Sequence, residues 1–242
     1  MIDHVDLRAS DREASERFYR TILAPLGIEP TESGEDYIGW NDFGVAPAEA
    51  PDRVTRNMHI GFVASSRELV EAFWETGRSA GYPDDGEPGP RPQYRYDYYG
   101  AFLLDPDGNS AEAVHHGDLS RDGNVDHLWI RTSDVDAAKA FYVAIAPHAD
   151  LQLASDKPGH AHFTTGTGSF SLVSGEPTRN LHLAFGATEN ATVDAFHAAA
   201  TGAGYRDNGG PGERPVYHAG YYGAFVLDPD GNNIEVVNHN RS

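Results

Sequence analysis

Six residues of this 242-residue chain have the type and spacing to hold metal ions: His4, His59 and Glu112, then His127, His182 and Glu235. Each member of the second set lies 123 positions after its counterpart in the first. Two neutral imidazoles and one carboxylate suit a divalent transition metal and leave coordination positions open to substrate or oxygen. The bland alternative is structural. A lone strand histidine is more often a hydrogen-bonded framework residue, and a glutamate after a hairpin turn is usually solvated. Both readings stand at this point, although recurrence of all three residues at fixed offsets makes idleness harder to defend.

The elements that must position these residues follow from pattern. Side chains alternate across a strand, so in "MIDHVDLR" Val5 and Leu7 take one face and His4, Asp6 and Arg8 the other. In "NVDHLWIR" Leu128 and Ile130 oppose His127, Trp129 and Arg131. In "NMHIGFVA" Met58, Ile60 and Phe62 form the apolar face, with His59 and Gly61 opposite; Leu181, Leu183 and Phe185 likewise oppose His182, Ala184 and Gly186. Glu112, Val114 and His116 share a face, as do Glu235, Val237 and His239. Large apolar side chains are expected on the helices, and the histidines and glutamates beside small residues on the open face.

The 123-residue offset also links "YYGAFLLDPDGN" with "YYGAFVLDPDGN", Phe18–Tyr19 with Phe141–Tyr142, and Asn57 with Asn180. The chain is a tandem duplication, copy one at 1–119 and copy two at 124–242, joined by the polar turn "GDLSRDGN" at 117–124. A period this long implies two domains rather than a solenoid. Each copy reads as a strand, a helix, two or three strands, a further strand, a second helix and a closing hairpin. Ser10 with Glu13 reads as a capping box for the first helix, and Pro, Asp and Gly of "DPDGN" suit a tight turn. A strand, a helix and then a run of strands, twice over in each copy, place the chain in the α+β class.

Composition narrows the partners. The formal charge is −19, the opposite of the basic footprint that nucleic acid requires and repelled by an acidic membrane surface. No cysteine is present, which removes disulfides, thiolate ligands and thiol nucleophiles. No apolar run reaches the length of a membrane span, and "MIDHVDLRAS" lacks the pattern of a signal peptide. The expectation is a cytoplasmic protein with a small-molecule partner.

With these residues in view, the chain resembles the vicinal oxygen chelate superfamily of glyoxalases, bleomycin-resistance proteins, fosfomycin-resistance enzymes and extradiol dioxygenases. The resemblance rests on His4 or His127 in the opening strand, His59 or His182 in the middle strand, and "YYGAFLLDPDGNSAE" or "YYGAFVLDPDGNNIE" ending at Glu112 or Glu235. It implies paired βαβββ modules curling into a mixed sheet around a cleft, and two domains packed as a fused pseudo-dimer, the chain itself a monomer or a homodimer. It implies one divalent metal, Fe2+, Mn2+, Ni2+ or Zn2+, per His, His and Glu set, taken from a single copy. The glyoxalase branch adds a fourth ligand, for which Glu49 and Glu176 are nearest, but they lie 127 rather than 123 residues apart. The dioxygenase branch places a histidine before the closing turn. His218 fits it as the general acid or base, with Ala224 and Phe225 departing from the pattern and Arg95 standing in its place in copy one.

Tyr94, Arg91, Tyr217 and Arg214 precede the closing hairpins and Trp129 lies on a ligand-bearing strand, so all five are candidate substrate contacts; anchoring of a Pro-rich loop is the competing role for the arginines and tyrosines. The leading expectation is a metal-dependent lyase, isomerase or dioxygenase that chelates a substrate through adjacent oxygens. The alternative is a metal-free binding protein of the bleomycin-resistance kind, its acidic charge and aromatic residues suiting a cationic aromatic ligand. If one copy is silent, it is copy one, which lacks His218.

Overall fold

The computed structural model describes residues 1–119 and 123–240, so residues 120–122 of the expected joint lie outside the described residues. The chain divides into two compact units, an N-terminal unit of Asp6–Trp129 and a C-terminal unit of Met1–Val5 with Ile130–Ser242. The opening strand of each copy is therefore divided, its first residues built into the unit formed by the other copy.

In chain order the first copy contains β1 (Ile2–Ala9), α1 (Arg12–Leu23), β2 (Glu32–Ser33), β3 (Ile38–Gly39), β4 (Phe43–Pro47), β5 (Met58–Val63), α2 (Arg67–Ser79), β6 (Asp84–Pro90), β7 (Tyr99–Leu104) and β8 (Ser110–His115). The second contains β9 (Val125–Thr132), α3 (Val135–Ala149), β10 (Gln152–Lys157), β11 (His160–Thr164), β12 (Ser169–Ser174), β13 (His182–Gly186), α4 (Asn190–Gly202), β14 (Arg206–Glu213), β15 (Tyr222–Leu227) and β16 (Asn233–Asn238). In the N-terminal unit the strand order β6-β7-β8-β5 continues to the start of β9, and β2-β3-β4 continues to the remainder of β1. In the C-terminal unit β14-β15-β16-β13 continues to the start of β1, and β10-β11-β12 to the remainder of β9. Both sheets are mixed: β5 runs parallel to β8 and β13 parallel to β16, whereas the closing hairpins are antiparallel.

The helices form where an apolar stripe can be buried. Phe18, Tyr19, Ile22 and Leu23 of α1 are buried, at the spacing of one helical face. Their equivalents Phe141, Tyr142 and Ile145 do the same on α3. The helix starts differ from the capping box expected at Ser10. Asp11 is the N-cap, accepting from the Ala14 N–H at 2.9 Å, and Asp134 caps α3 in the same way. Ser10 instead donates from its backbone N–H and hydroxyl to Asp107, at 2.9 and 2.6 Å, because the closing turn lies beside the helix start. Gly81 and Gly204 follow α2 and α4 with φ of 91° and 90°, the left-handed conformation that glycine adopts without strain.

Aromatic residues dominate both cores. Phe43 meets Tyr19 at 4.7 Å and Phe62 at 5.1 Å between ring centroids, and Phe170 meets Tyr142 at 4.8 Å and Phe185 at 6.2 Å. Phe43 and Phe170 do the same work 127 residues apart, so the copies slip by four residues at the turn that precedes these strands. The sequence registers Glu49 and Glu176 by the wrong offset for that reason. Both are nonetheless exposed.

The repeated "DPDGN" turn sets strand register. Asp105 is buried, and its carboxylate accepts from the N–H groups of Asp107 and Asn109, the Asn109 amide and the Tyr19 hydroxyl, at 2.8 to 3.1 Å. Asn109 in turn accepts from the Met58 N–H at 3.1 Å, fastening the start of β8 to the start of β5. Asp228, Asn232 and the Leu181 N–H repeat the arrangement. His59 thereby pairs with Ser110 and Gly61 with Glu112. In the other unit His182 pairs with Asn233 and Ala184 with Glu235.

Phe43→Ala and Phe170→Ala should each cost about 3–5 kcal/mol by denaturant unfolding. Val216→Ala, at a residue 83% exposed, should stay within about 0.5 kcal/mol. Equal effects from the three would contradict the assigned cores.

Candidate metal centres

The parallel register brings an imidazole and a carboxylate to one face of neighbouring strands, and the opening strand supplies the second imidazole. In the N-terminal unit His59 Nε2 lies 3.0 Å from Glu112 Oε2, His127 Nε2 lies 3.3 Å from the same oxygen, and the two nitrogens are 3.3 Å apart. In the C-terminal unit His182 Nε2 lies 3.1 Å and His4 Nε2 3.7 Å from Glu235 Oε2, with the nitrogens 3.0 Å apart. Each set thus takes two residues from one copy and its opening-strand histidine from the other. The grouping expected within a copy, His4 with His59 and Glu112 and His127 with His182 and Glu235, is corrected: all six residues converge, but the histidines of β1 and β9 change places. Alternation reveals which way a side chain faces but not which strand lies next to it.

The packing around each carboxylate is specific. Tyr98 donates its hydroxyl to Glu112 Oε1 at 2.7 Å, and Tyr221 donates to Glu235 Oε1 at 2.7 Å. Gly100 and Gly223 make room for those carboxylates, since a Cβ there would stand 2.3 Å from Glu112 Oε1 or 2.5 Å from Glu235 Oε1. These two contacts account for the first tyrosine and the glycine of the "YYG" repeat, while the middle tyrosines, Tyr99 and Tyr222, donate to Glu71 and Asp194. Gly61 is likewise required by the His127 ring, which a Cβ would approach to 2.5 Å. Ala184 carries the methyl group at that place in the C-terminal unit, where the imidazole stands farther from its glutamate.

The outer nitrogens are fixed as well. His127 Nδ1 lies 2.9 Å from Asp126, and His4 Nδ1 2.8 Å from Asp3. His59 Nδ1 meets the Ser110 hydroxyl at 3.1 Å, and the Asn233 amide meets His182 Nδ1 at 2.7 Å. Burial alone would raise the Glu112 carboxyl, but hydrogen bonds from His127 and His59 and their charges overcome it and hold it at about 2. Burial would likewise disfavour the His127 imidazolium, yet hydrogen bonds to Asp126 and Glu112 raise it to about 10. Burial would also raise Asp126 and Asp3; their histidine partners hold both well below the usual carboxylate range. Tyr98 and Tyr221 are pushed far up by burial and the neighbouring glutamates, so both remain hydrogen-bond donors.

These donors fit a transition metal. Ligands at ~2.0–2.2 Å around a tetrahedral or octahedral ion stand roughly 3.0–3.5 Å from one another, close to the separations at both centres. The buried Glu235 Oε2 faces the two imidazoles, and among the described residues no hydrogen-bond donor serves it. A hydrogen-bond acceptor paired with each opening-strand histidine is what an outer shell requires.

The other expected site residues are placed as follows. His218 lies outside the ligand set, with Nε2 2.8 Å from His239 Nδ1. Arg91 binds the carbonyls of Glu87 and Pro90 and lies over Phe102; Arg214 binds those of Gly210 and Glu213 and lies over Phe225. Both guanidiniums therefore brace their own loops. Trp129 stands 5.4 Å from His59 and 5.3 Å from Tyr94, forming an aromatic wall at the N-terminal centre. Tyr217 is 61% exposed and packs on Tyr221 at 4.8 Å. Asp3 and Asp126 were not singled out as site residues by sequence, although they recur at the 123-residue offset.

A family model described as Glyoxalase/Bleomycin resistance protein/Dioxygenase superfamily matches residues 1–113 and again 124–236. The chain belongs to this superfamily. Glyoxalase I from Zea mays is similar in structure, with a TM-score of 0.71 and 19% identity over 98% of this chain and 92% of that one. A putative dioxygenase from Bacillus subtilis is similar over 100% of this chain and 86% of that one, with a TM-score of 0.65 and 13% identity. At these identities the likeness establishes the superfamily fold. No curated protein sequence matches. No helix among the described residues is long and apolar enough to cross a membrane.

The metal-free N-terminal centre should depend on pH through Glu112. A carboxyl held at about 2, against an ordinary 4.5, contributes stability that is complete above pH 4.5 and is lost as pH falls toward 2. Glu112→Gln should cost about 3 kcal/mol at pH 7 in chelator-treated protein, because the His127 cation keeps only part of its compensation. Urea unfolding should show that difference shrinking across this window; a difference constant from pH 7 to 3 would contradict the ion pair.

Proposed function

We propose that each unit binds one divalent metal ion, through His59, Glu112 and His127 in the N-terminal unit and through His4, His182 and Glu235 in the C-terminal unit. The chain would then be a metal-dependent enzyme acting on a small molecule with two adjacent oxygens. One observation carries the reading: two imidazole nitrogens and a buried carboxylate oxygen converge within metal-ligand separations in both units.

A divalent metal in such a set supplies a Lewis acid with coordination positions open to vicinal oxygens. The protein's own residues would do the rest. Tyr98 and Tyr221 hold Oε1 of each glutamate, leaving Oε2 directed at the imidazoles. Asp126 and Asp3 fix the ring orientation and keep Nδ1 protonated, so that Nε2 is the donor atom. Trp129 and Tyr94 present aromatic surface beside the N-terminal centre and support a flat or apolar substrate there. In the N-terminal unit the three-donor set, with Glu49 and Glu176 both exposed, favours chemistry at a two-histidine, one-carboxylate centre over a four-ligand glyoxalase site. A metal-free sequestering protein would have no use for paired acidic groups behind its histidines.

Elemental analysis of untagged protein from metal-supplemented medium is expected to give two metal equivalents per chain, falling to one with either Glu112→Gln or Glu235→Gln. Absence of bound metal after incubation with iron, manganese, nickel and zinc would overturn the proposal.

A further inference from the structure

Both centres have a tyrosine on the glutamate and an aspartate behind the opening-strand histidine, but they differ beyond that aspartate. In the C-terminal unit Asp3 joins His4 Nδ1 at 2.8 Å to His239 Nε2 at 3.0 Å. His239 Nδ1 then meets His218 Nε2 at 2.8 Å, and His218 Nδ1 lies 2.9 Å from the Ala219 carbonyl oxygen. The two rings meet edge to edge, centroids 5.1 Å apart and planes inclined by 18°, and Tyr221 packs against both.

Proton accounting fixes the charge of this arrangement. A carboxylate and a carbonyl oxygen only accept, so His239 Nε2 and His218 Nδ1 must each carry hydrogen. The contact between His239 Nδ1 and His218 Nε2 needs one further proton. Three N–H protons on two rings are one more than two neutral imidazoles carry.

The N-terminal unit is built otherwise. His116 Nε2 lies 3.2 Å from Asp126, while His116 Nδ1 accepts from the Asp118 backbone N–H at 3.2 Å. That imidazole is neutral, because the backbone N–H requires a lone pair on Nδ1. Arg95 replaces His218, and its guanidinium binds Asp97 and Asp118 rather than His116.

We propose that His218 and His239 form a singly charged imidazole–imidazolium pair that offsets the Asp3 carboxylate and orients His4, making the two centres electrostatically unequal. His218 is then a positioning residue, acting through His239 and Asp3 rather than on substrate. The carboxylate behind His4 is thus compensated, whereas the one behind His127, Asp126, stands beside a neutral His116. An imidazole hydrogen-bonded to an uncompensated carboxylate is the stronger donor. The pair should therefore weaken the hold of His4 on a metal ion and leave that ion the stronger Lewis acid.

The effect on metal rests on the proposed ligand sets, but the charge of the pair does not, and the test separates them. Nitrogen-15 NMR of the metal-free chain at pH 7 should show three protonated ring nitrogens across His218 and His239 and one on His116. Two protons on the pair would overturn the proposal. Zinc titration calorimetry in a Glu112→Gln background reads the C-terminal centre alone. There His218→Gln, which keeps a donor to His239 but removes the charge, should tighten zinc binding about threefold to tenfold. Unchanged or weaker binding would contradict the electrostatic role. Failure of the Glu112→Gln parent to bind zinc would instead count against the metal reading, leaving the NMR proton count to decide the pair.

Discussion

The candidate chemistry depends on the register between a histidine-bearing strand and the parallel strand that carries the glutamate. Parallel neighbours come from distant parts of the chain, and a slip of one residue would turn Glu112 to the opposite face. The buried Asp105 and Asn109 prevent that slip by fastening the turn before β8 to the first residue of β5. Asp228 and Asn232 do the same for β16 and β13. A turn side chain is thus the reason that His59 and Glu112, 53 residues apart, meet at 3.0 Å.

Once register is set, the demands of a buried carboxylate select the neighbouring residues. Glu112 and Glu235 are both almost completely buried, and a buried charge requires partners. Tyrosine serves one oxygen and imidazole faces the other, while Gly100 and Gly223 supply the space. Asp126 adds negative charge behind the His127 imidazole, which favours a cation between the ligand atoms, and Asp3 fixes the ring of His4. The repeated dipeptide at Asp3–His4 and Asp126–His127 therefore encodes a ligand together with the group that orients it.

Much of this was legible in the sequence. Alternation assigned all six metal-ligand candidates to the correct faces, and the 123-residue offset exposed the duplication. Three features were hidden for physical reasons. Ser10 looked like a helix cap, but its hydroxyl is taken by Asp107 across the unit, leaving the cap to Asp11. The four-residue slip before Phe43 and Phe170 lies in a turn, where length varies without disturbing the core. Which opening strand lies beside which middle strand is a matter of tertiary pairing, and strand periodicity carries no information about it.

The exchange of the opening-strand histidines is the central claim, and metal stoichiometry of two double variants tests it most directly. His4→Ala with Glu235→Gln removes two ligands from one centre and should leave one metal equivalent per chain. His4→Ala with Glu112→Gln removes one ligand from each centre and should leave close to none. The reverse result, one equivalent retained by His4→Ala with Glu112→Gln and none by His4→Ala with Glu235→Gln, would show that each copy binds metal with its own histidine and would contradict the account.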